Sequence, residues 1–312
     1  MKLPSSLTSP PPEVPDVLLS FPIPHVMVIT LNRPTKLNAV PRGQHAALLA
    51  LYDWYDAQSH LRAAILTGSG RAFCAGADLK EWHTNNDPSS ASASASASAS
   101  ASASASSSPS SSTPSPSAPA PPPEKWPATG GFGGLSNRRG KKPIIAAVNG
   151  LCLGGGFEMV ANADLVYALS TATFGLPEVT RGVVAIAGAL PRLVRILGRQ
   201  RATEMALLGD IDYTAEQMRT WGLVNGVVEG SDPRKLMDAV LAVAAKLASN
   251  APDAVVVSRE GLLSGLEPED PQAATVRVEA GIYSEMEGGE NMMEGVRSFV
   301  ERRKPVWKDS KL

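Results

Sequence analysis

Two hydrophobic patterns divide the chain. In its first half, short apolar runs rich in β-branched residues alternate with turn formers: "VMVITLN" (26–32), "RAAILTGSG" (62–70), "KPIIAAVNG" (142–150) and "ADLVYALS" (163–170). Runs of this length, closed by glycine, asparagine or serine, predict buried strands. Between the first two lies "QHAALLALYDWYDAQ", where Leu48, Leu49, Tyr52 and Tyr55 recur at helical spacing and predict an amphipathic helix. From about residue 187 onward the spacing becomes mostly helical, through "GALPRLVRILG", "RATEMALLG", "TAEQMRTWG" and "DPRKLMDAVLAVAAKLASN", with three more helical candidates before about 304. Thr214 and Gln217 stand at the spacing of a capping box. Strands early and helices late describe a β/α core with a helical C-terminal cap.

One segment follows neither pattern. From His83 to about Glu124 the chain is a polar lead, then strict Ala-Ser alternation, then a Ser/Pro/Ala tract. Alternation mimics a strand, but serine and alanine bury too little apolar surface to offset the entropy of ordering, so an insertion at about 84–124, disordered and looped out, is expected. The remaining length, about 270 residues, suits one large α/β domain. The "GGFGGLSNRRGKKP" that follows carries Arg138, Arg139, Lys141 and Lys142, read as a solvated basic loop.

Charge and cysteine content narrow the function. Lysine plus arginine (29) nearly equals aspartate plus glutamate (30), which argues against a dedicated nucleic-acid or membrane-surface binder. Cys74 and Cys152 read as small core fillers and suggest a reducing compartment. His25, His45, His60 and His83 form no recognisable metal-binding cluster, so no metal is expected. No apolar run has the length of a bilayer span. Residues 1–15 read as an extended, proline-stiffened lead-in without the features of a signal or transit peptide. The terminal Ser310-Lys311-Leu312 matches a peroxisomal address, with the import receptor as the expected partner.

Candidate chemistry concentrates at two glycine-containing turns, "GLCLGGGFEMV" (150–160) and "RAFCAGADLKEW" (71–82). Each follows an apolar strand and precedes a predicted helix, the first beginning near Phe157. Helix-start N–H groups lack partners and carry positive potential, and missing side chains let a ligand oxygen approach. A phosphate or a thioester oxygen fits that description, and close packing alone accounts for either turn singly. No Lys-Ser/Thr follows the run, so it is not a P-loop, and its spacing is not a dinucleotide fingerprint. Together the two turns are able to aim two N–H donors at one oxygen, the construction of an oxyanion hole.

The blocks "ITLNRPTKLNAV", "AAILTGSGRAFCAGADLKEW", "KPIIAAVNGLCLGGGFEMVANADLVYA", "FGLPEVTRG" and "VRSFVERRKPVWK" occur in an order that resembles the enoyl-CoA hydratase/isomerase (crotonase) family. The resemblance implies an α/β fold, the crotonase (ClpP-like) spiral of ββα units, with a core over 16–235 and a helical oligomerisation region over 236–309. It implies a homotrimer or homohexamer acting on an acyl-CoA thioester, with no cofactor beyond the coenzyme A carried by the substrate. It places the oxyanion hole at the amides of Ala77 and Gly155, and lays Asp78, Leu79 and Lys80 along the acyl-CoA site. It assigns acid–base roles to Glu158, which handles the water, and Glu178, which handles the proton on Cα; in dehydration the roles reverse. Hydration across an α,β-unsaturated thioester needs such a pair, held in different protonation states.

One stretch departs from the pattern. In "RGVVAIAGALPR", Ala185 and Ile186 stand where the family usually has proline and glycine, and Ala189 replaces a later glycine. Ile186 is therefore expected to reshape the substrate or water site. The resemblance is nearest to fungal peroxisomal members that dehydrate a branched 3-hydroxyacyl-CoA, mevalonyl-CoA, to anhydromevalonyl-CoA for siderophore side chains. Two alternatives stay open: a double-bond isomerase of fatty-acid metabolism, and a non-catalytic crotonase-fold protein that binds RNA or a partner.

Overall fold

The computed structural model describes residues 4–78, 129–266 and 271–312. The Ala/Ser/Pro insertion, the helix predicted after "AGAD", Leu79 and Lys80 lie outside the described residues. All four predicted strands are present, as β2 (Val26–Leu31), β3 (Ala63–Gly68), β5 (Ile144–Val148) and β7 (Leu165–Leu169). With β1 (Val17–Ser20) and β10 (Gly226–Val228) they form a sheet in the order β1-β2-β3-β5-β7-β10, antiparallel only at the β1–β2 edge.

Periodicity misses a second sheet. After β3, β5 and β7 the chain turns a short corner and adds a three-residue strand, β4 (Ala72–Cys74), β6 (Leu151–Leu153) and β8 (Thr173–Gly175) in turn, to a smaller sheet completed by the two-residue β9 (Tyr213–Thr214). Each of these three turns of the spiral thus gives one long and one short strand, and the short ones lead directly into the candidate site. Strands this short carry no readable alternation.

Helix α1 (Arg42–Ala57) forms where apolar spacing places it, but its buried face is Gln44, His45, Leu48, Leu51, Tyr52 and Tyr55. Leu49 is only partly buried; the "GGFGG" turn lies against the helix backbone there, where a Cβ on Gly134 would stand 2.4 Å from the Leu49 nitrogen. α2 (Gly155–Ala161) follows β6 and begins two residues earlier than expected. α3 (Ala189–Leu197), α4 (Arg199–Leu208), α5 (Ala215–Thr220), α6 (Pro233–Ala248), α7 (Pro252–Ser264), α8 (Pro271–Val278) and α9 (Glu290–Val300) complete the helical half. The Thr214/Gln217 capping box is made on both sides at the start of α5.

Two apolar clusters hold these layers. The larger joins α1, both sheets and α2 to α5; the smaller packs Leu236, Val240, Ala244 and Ala248 of α6 onto the other face of the main sheet. α7 is fastened by Arg259, whose Nε donates to Asp164 Oδ1 (2.7 Å) while Nη1 donates to the carbonyls of Arg139 and Gly140. Asp164 also accepts the Ile144 amide at the start of β5 (2.8 Å). Both cysteines are fully buried and in no disulfide, and burial pushes the Cys74 thiol up to about 12.

Candidate active site

The site begins with strand register. β4 and β6 are parallel neighbours with Cys74 opposite Cys152, so the residues that follow them, 75–77 and 154–156, emerge side by side. A Cβ on Gly76 would stand 3.2 Å from the Gly155 nitrogen, which measures how closely the turns approach. Val40 bridges Ala77: its amide donates to the Gly76 carbonyl (2.9 Å) and its carbonyl accepts the Asp78 amide (3.3 Å). In an extended segment successive amides alternate sides, so the intervening Ala77 N–H faces away from Val40. Gly155 opens α2, where its N–H has no acceptor within the helix. The Ala77 and Gly155 amides thus belong to two turns in close approach.

The three glycines divide the work. Gly154 has φ +54 and caps α2, its amide donating to the Gly175 carbonyl at the end of β8 (3.0 Å). A Cβ at Gly155 would fall 2.5 Å from the Phe132 ring, and one at Gly156 would fall 2.3 Å from the Cys74 carbonyl. Close packing and access to an amide are thus requirements of the same run. Asn38 and Asn149 hold the approach from below. Asn38 Nδ2 donates to the carbonyls of Ser69 (2.9 Å) and Ala72 (2.8 Å); Asn149 accepts the Gly68 amide (3.1 Å) and donates to Gly70 and Ala72. Single asparagines in "KLNAV" and "VNG" were the only sequence trace of this scaffold.

Both glutamates point to this place. Glu158, in the first turn of α2, is 3% exposed, and its Oε1 accepts the amides of Ala187 (2.9 Å) and Ala189 (3.3 Å). Burial drives its pKa up to about 7; the Ala189 and Ala187 amides oppose the rise, the Glu178 carboxylate adds to it, and Arg192 opposes it. Glu178 lies in the 3₁₀ turn Pro177–Arg181 after β8. Its Oε1 would sit 3.1 Å from a Cβ on Gly154, and its buried Oε2 has no hydrogen-bond partner among the described residues. Burial raises its pKa as well. Two buried carboxyls with raised pKa values, the charge of Glu178 adding to the rise at Glu158, lie beside the glycine turns, an arrangement able to serve as an acid–base pair next to main-chain donors.

Other expectations fare differently. Asp78 forms an ion pair with Arg33 (3.2 Å). Ile186 is 67% exposed, and its amide donates to the Val184 carbonyl (2.9 Å). The basic group is not a solvated loop throughout, because Arg138 and Lys142 are buried. Arg138 Nη2 contacts both oxygens of Asp56 (2.7 and 2.6 Å), and Lys142 Nζ donates to the carbonyls of Tyr55 and Gln58 at the end of α1. Carbonyl acceptors at the negative end of a helix make that burial tolerable. His25 and His60 do come together, with ring centroids 4.3 Å apart, and Asp309 lies 3.7 Å from His60 Nδ1, contrary to the expectation of no cluster. Arg62 is 3.5 Å from the same carboxylate and already balances its charge.

A model of the enoyl-CoA hydratase/isomerase family matches residues 24–106 and 136–310. The chain belongs to that family. Among curated relatives, this family member is 56% identical to the mevalonyl-coenzyme A hydratase SIDH of Beauveria bassiana, covering 98% of this chain and 100% of the relative. It is 46% identical to the mevalonyl-coenzyme A hydratase sidH of Aspergillus fumigatus, covering 96% and 98%. Among solved structures it resembles an enoyl-CoA hydratase from Mycobacterium tuberculosis H37Rv with a TM-score of 0.75 at 31% identity, covering 95% of this chain and 100% of that one. Membership makes the chain an enzyme of the hydratase/isomerase class with the crotonase fold.

Proposed function

We propose that the chain catalyses reversible hydration and dehydration of an acyl-CoA thioester, with mevalonyl-CoA and its anhydro product as the physiological pair. The observation that carries this reading is the pairing of Glu158 and Glu178 beside the amides of Ala77 and Gly155. The two mevalonyl-coenzyme A hydratases named above support the branched substrate, and Ile186 in place of the usual glycine fits a pocket altered for it.

In the dehydration direction Glu178 takes a proton from Cα, negative charge moves onto the thioester oxygen, and Ala77 and Gly155 donate to that oxygen. Glu158 then gives its proton to the hydroxyl on Cβ, which leaves as water as the Cα–Cβ double bond forms. A carboxyl held near 7 suits this role, because at neutral pH it is present both as acid and as base. Hydration runs the same steps backwards.

Coenzyme A enters only as part of the substrate, with Asp78, Leu79 and Lys80 proposed along its site. Assembly into trimers or hexamers belongs to the same proposal. Its support is the apolar, exposed surface of α9, where Phe299 is 85% and Val300 73% exposed. Peroxisomal delivery through Ser310-Lys311-Leu312, and a place in siderophore synthesis, complete it.

The test is turnover of crotonyl-CoA, mevalonyl-CoA and linear 3-hydroxyacyl-CoAs by purified protein, read by mass spectrometry. Mevalonyl-CoA should lose one water with the highest kcat/KM. Activity confined to moving a double bond, unchanged in Glu158→Gln, would identify an isomerase instead.

A further inference from the structure

Ser136 is fully buried and takes no part in the chemistry above. Its hydroxyl accepts the Phe132 amide (2.7 Å) and lies 2.7 Å from the Ala187 carbonyl. A hydroxyl has one proton to donate, and a carbonyl only accepts, so the proton lies on the Ala187 side. Ala187 is thereby gripped at both ends: its carbonyl by Ser136, its amide by Glu158 Oε1. On the other side, the Phe132 ring fills the space over Gly155 that a Cβ would need. The turn that carries this ring is pinned a second time, because the Gly133 amide donates to His45 Nδ1 (2.9 Å) and the His45 ring meets Phe132 edge-on at 4.7 Å. Burial pulls the His45 pKa down to about 4, so this anchor keeps its neutral acceptor across the working pH range.

We propose that Ser136 is a positioning residue: its single hydroxyl holds the 187–189 amides on Glu158 and registers that grip to the Phe132 ring beside the Gly155 amide. The proposal rests on the acid–base reading of Glu158, and it assigns to the "GGFGG" turn a purpose beyond packing. Without the hydroxyl, the Ala187 carbonyl loses its anchor, the loop drifts, and the two amides leave the Glu158 carboxylate. Small misplacements of a proton-transfer group cost rate steeply. The effect should appear in kcat, because the contacts of this network among the described residues run to Glu158 and to Gly155.

The experiment compares Ser136→Ala and Ser136→Cys in the full chain; the cysteine keeps the shape and a weak donor, and carries the comparison if the alanine variant does not fold. Ser136→Ala should lower kcat about ten-fold or more with KM changed by no more than about two-fold, and Ser136→Cys should fall between it and wild type. In a Glu158→Gln background the same alanine change should cost little further, because both act through one group. An independent reading needs no turnover: the infrared carboxyl band of Glu158, assigned by its loss in Glu158→Gln, gives its titration midpoint. Glu178 on its 3₁₀ turn and Arg192 on α3 also face this carboxyl; Arg192 donates to the Gly188 carbonyl of the same loop and lowers the midpoint, so any withdrawal of it with the loop acts in the same direction. Loss of two amide bonds to the charged form should therefore raise the midpoint by about half a unit or more. A midpoint unchanged or lowered in Ser136→Ala overturns the proposal, even if the protein proves inactive on every acyl-CoA. So does an additive loss of kcat in the double variant.

Discussion

Glu158 and Glu178 are both buried carboxyls with raised pKa values, and their separate surroundings fit the separate tasks proposed for them. Glu158 receives two amides and still stands near 7 because burial outweighs them. Glu178 keeps one oxygen against Gly154 and the other without a described partner, as a base awaiting a proton from carbon requires. Replacing either by glutamine should lower kcat by about 10²–10⁴-fold; proton exchange at Cα, followed in deuterated water, should vanish in Glu178→Gln and persist in Glu158→Gln. Exchange that survives in both variants would remove Glu178 from the carbon step. The sign of the pH dependence follows from the raised pKa. Either direction starts with one proton shared by the Glu158/Glu178 pair and the reaction takes up no net proton, so kcat/KM for dehydration and for hydration should decline together as pH rises through about 7. Stability has a matching slope. The folded state holds the Glu158 proton more tightly than the unfolded chain, so it loses stability between about 4.5 and 7 as pH rises. Glu158→Gln should flatten that slope in urea titrations taken across the interval.

At the scale of elements, the short strands of the second sheet matter more than the long ones of the first. β4 and β6 deliver the two amides, and β8 delivers the turn with Glu178. Gly155→Ala tests this delivery, since the added methyl meets the Phe132 ring and must push α2 or the ring aside. kcat should fall at least ten-fold, a scale typical of a disturbed oxyanion donor, and circular dichroism should remain unchanged. The Thr214 cap offers the converse case. Thr214→Ala should cost about 1 kcal/mol of stability and leave kcat as it was, because the cap acts on α5 while the backbone pairing of Thr214 with Thr173 of β8 does not use the hydroxyl. These elements differ in how much the sequence discloses. The long strands are legible because each is a continuous apolar run; α5 is legible from Thr214 and Gln217. The second sheet is hidden because two or three residues cannot display a period. The burial of Arg138 and Lys142 is hidden too, because the Asp56 carboxylate and α1 carbonyls that receive them are more than 80 residues away in the chain. For the site, the glycine turns and the two glutamates are readable from local motifs, whereas Asn38, His45, Ser136 and the Ala187 amide emerge only through contacts across the fold.

Over the whole molecule, the spiral brings four separated stretches, around residues 77, 132, 155 and 187, to one end of the small sheet, and the helical half closes around them. Arg259, itself buried, joins that half to the core through an ion pair with the half-buried Asp164. Arg259→Leu should destabilise the chain by about 3 kcal/mol, the scale for breaking a buried pair on one side, as read from the urea midpoint. The apolar face of α9 bears on assembly. If it is an oligomer contact, Phe299→Asp should shift the sedimentation coefficient of the native protein downward, and an unchanged value would locate the contact elsewhere. The central claim is that paired glutamates beside two main-chain amides move water on and off a thioester. The most direct measurement is mass spectrometry of anhydromevalonyl-CoA incubated with the enzyme in ¹⁸O-labelled water. The wild-type protein should place one labelled oxygen on Cβ, and Glu178→Gln should place essentially none. Unlabelled product from the wild-type protein, or equal labelling by the variant, would contradict the account.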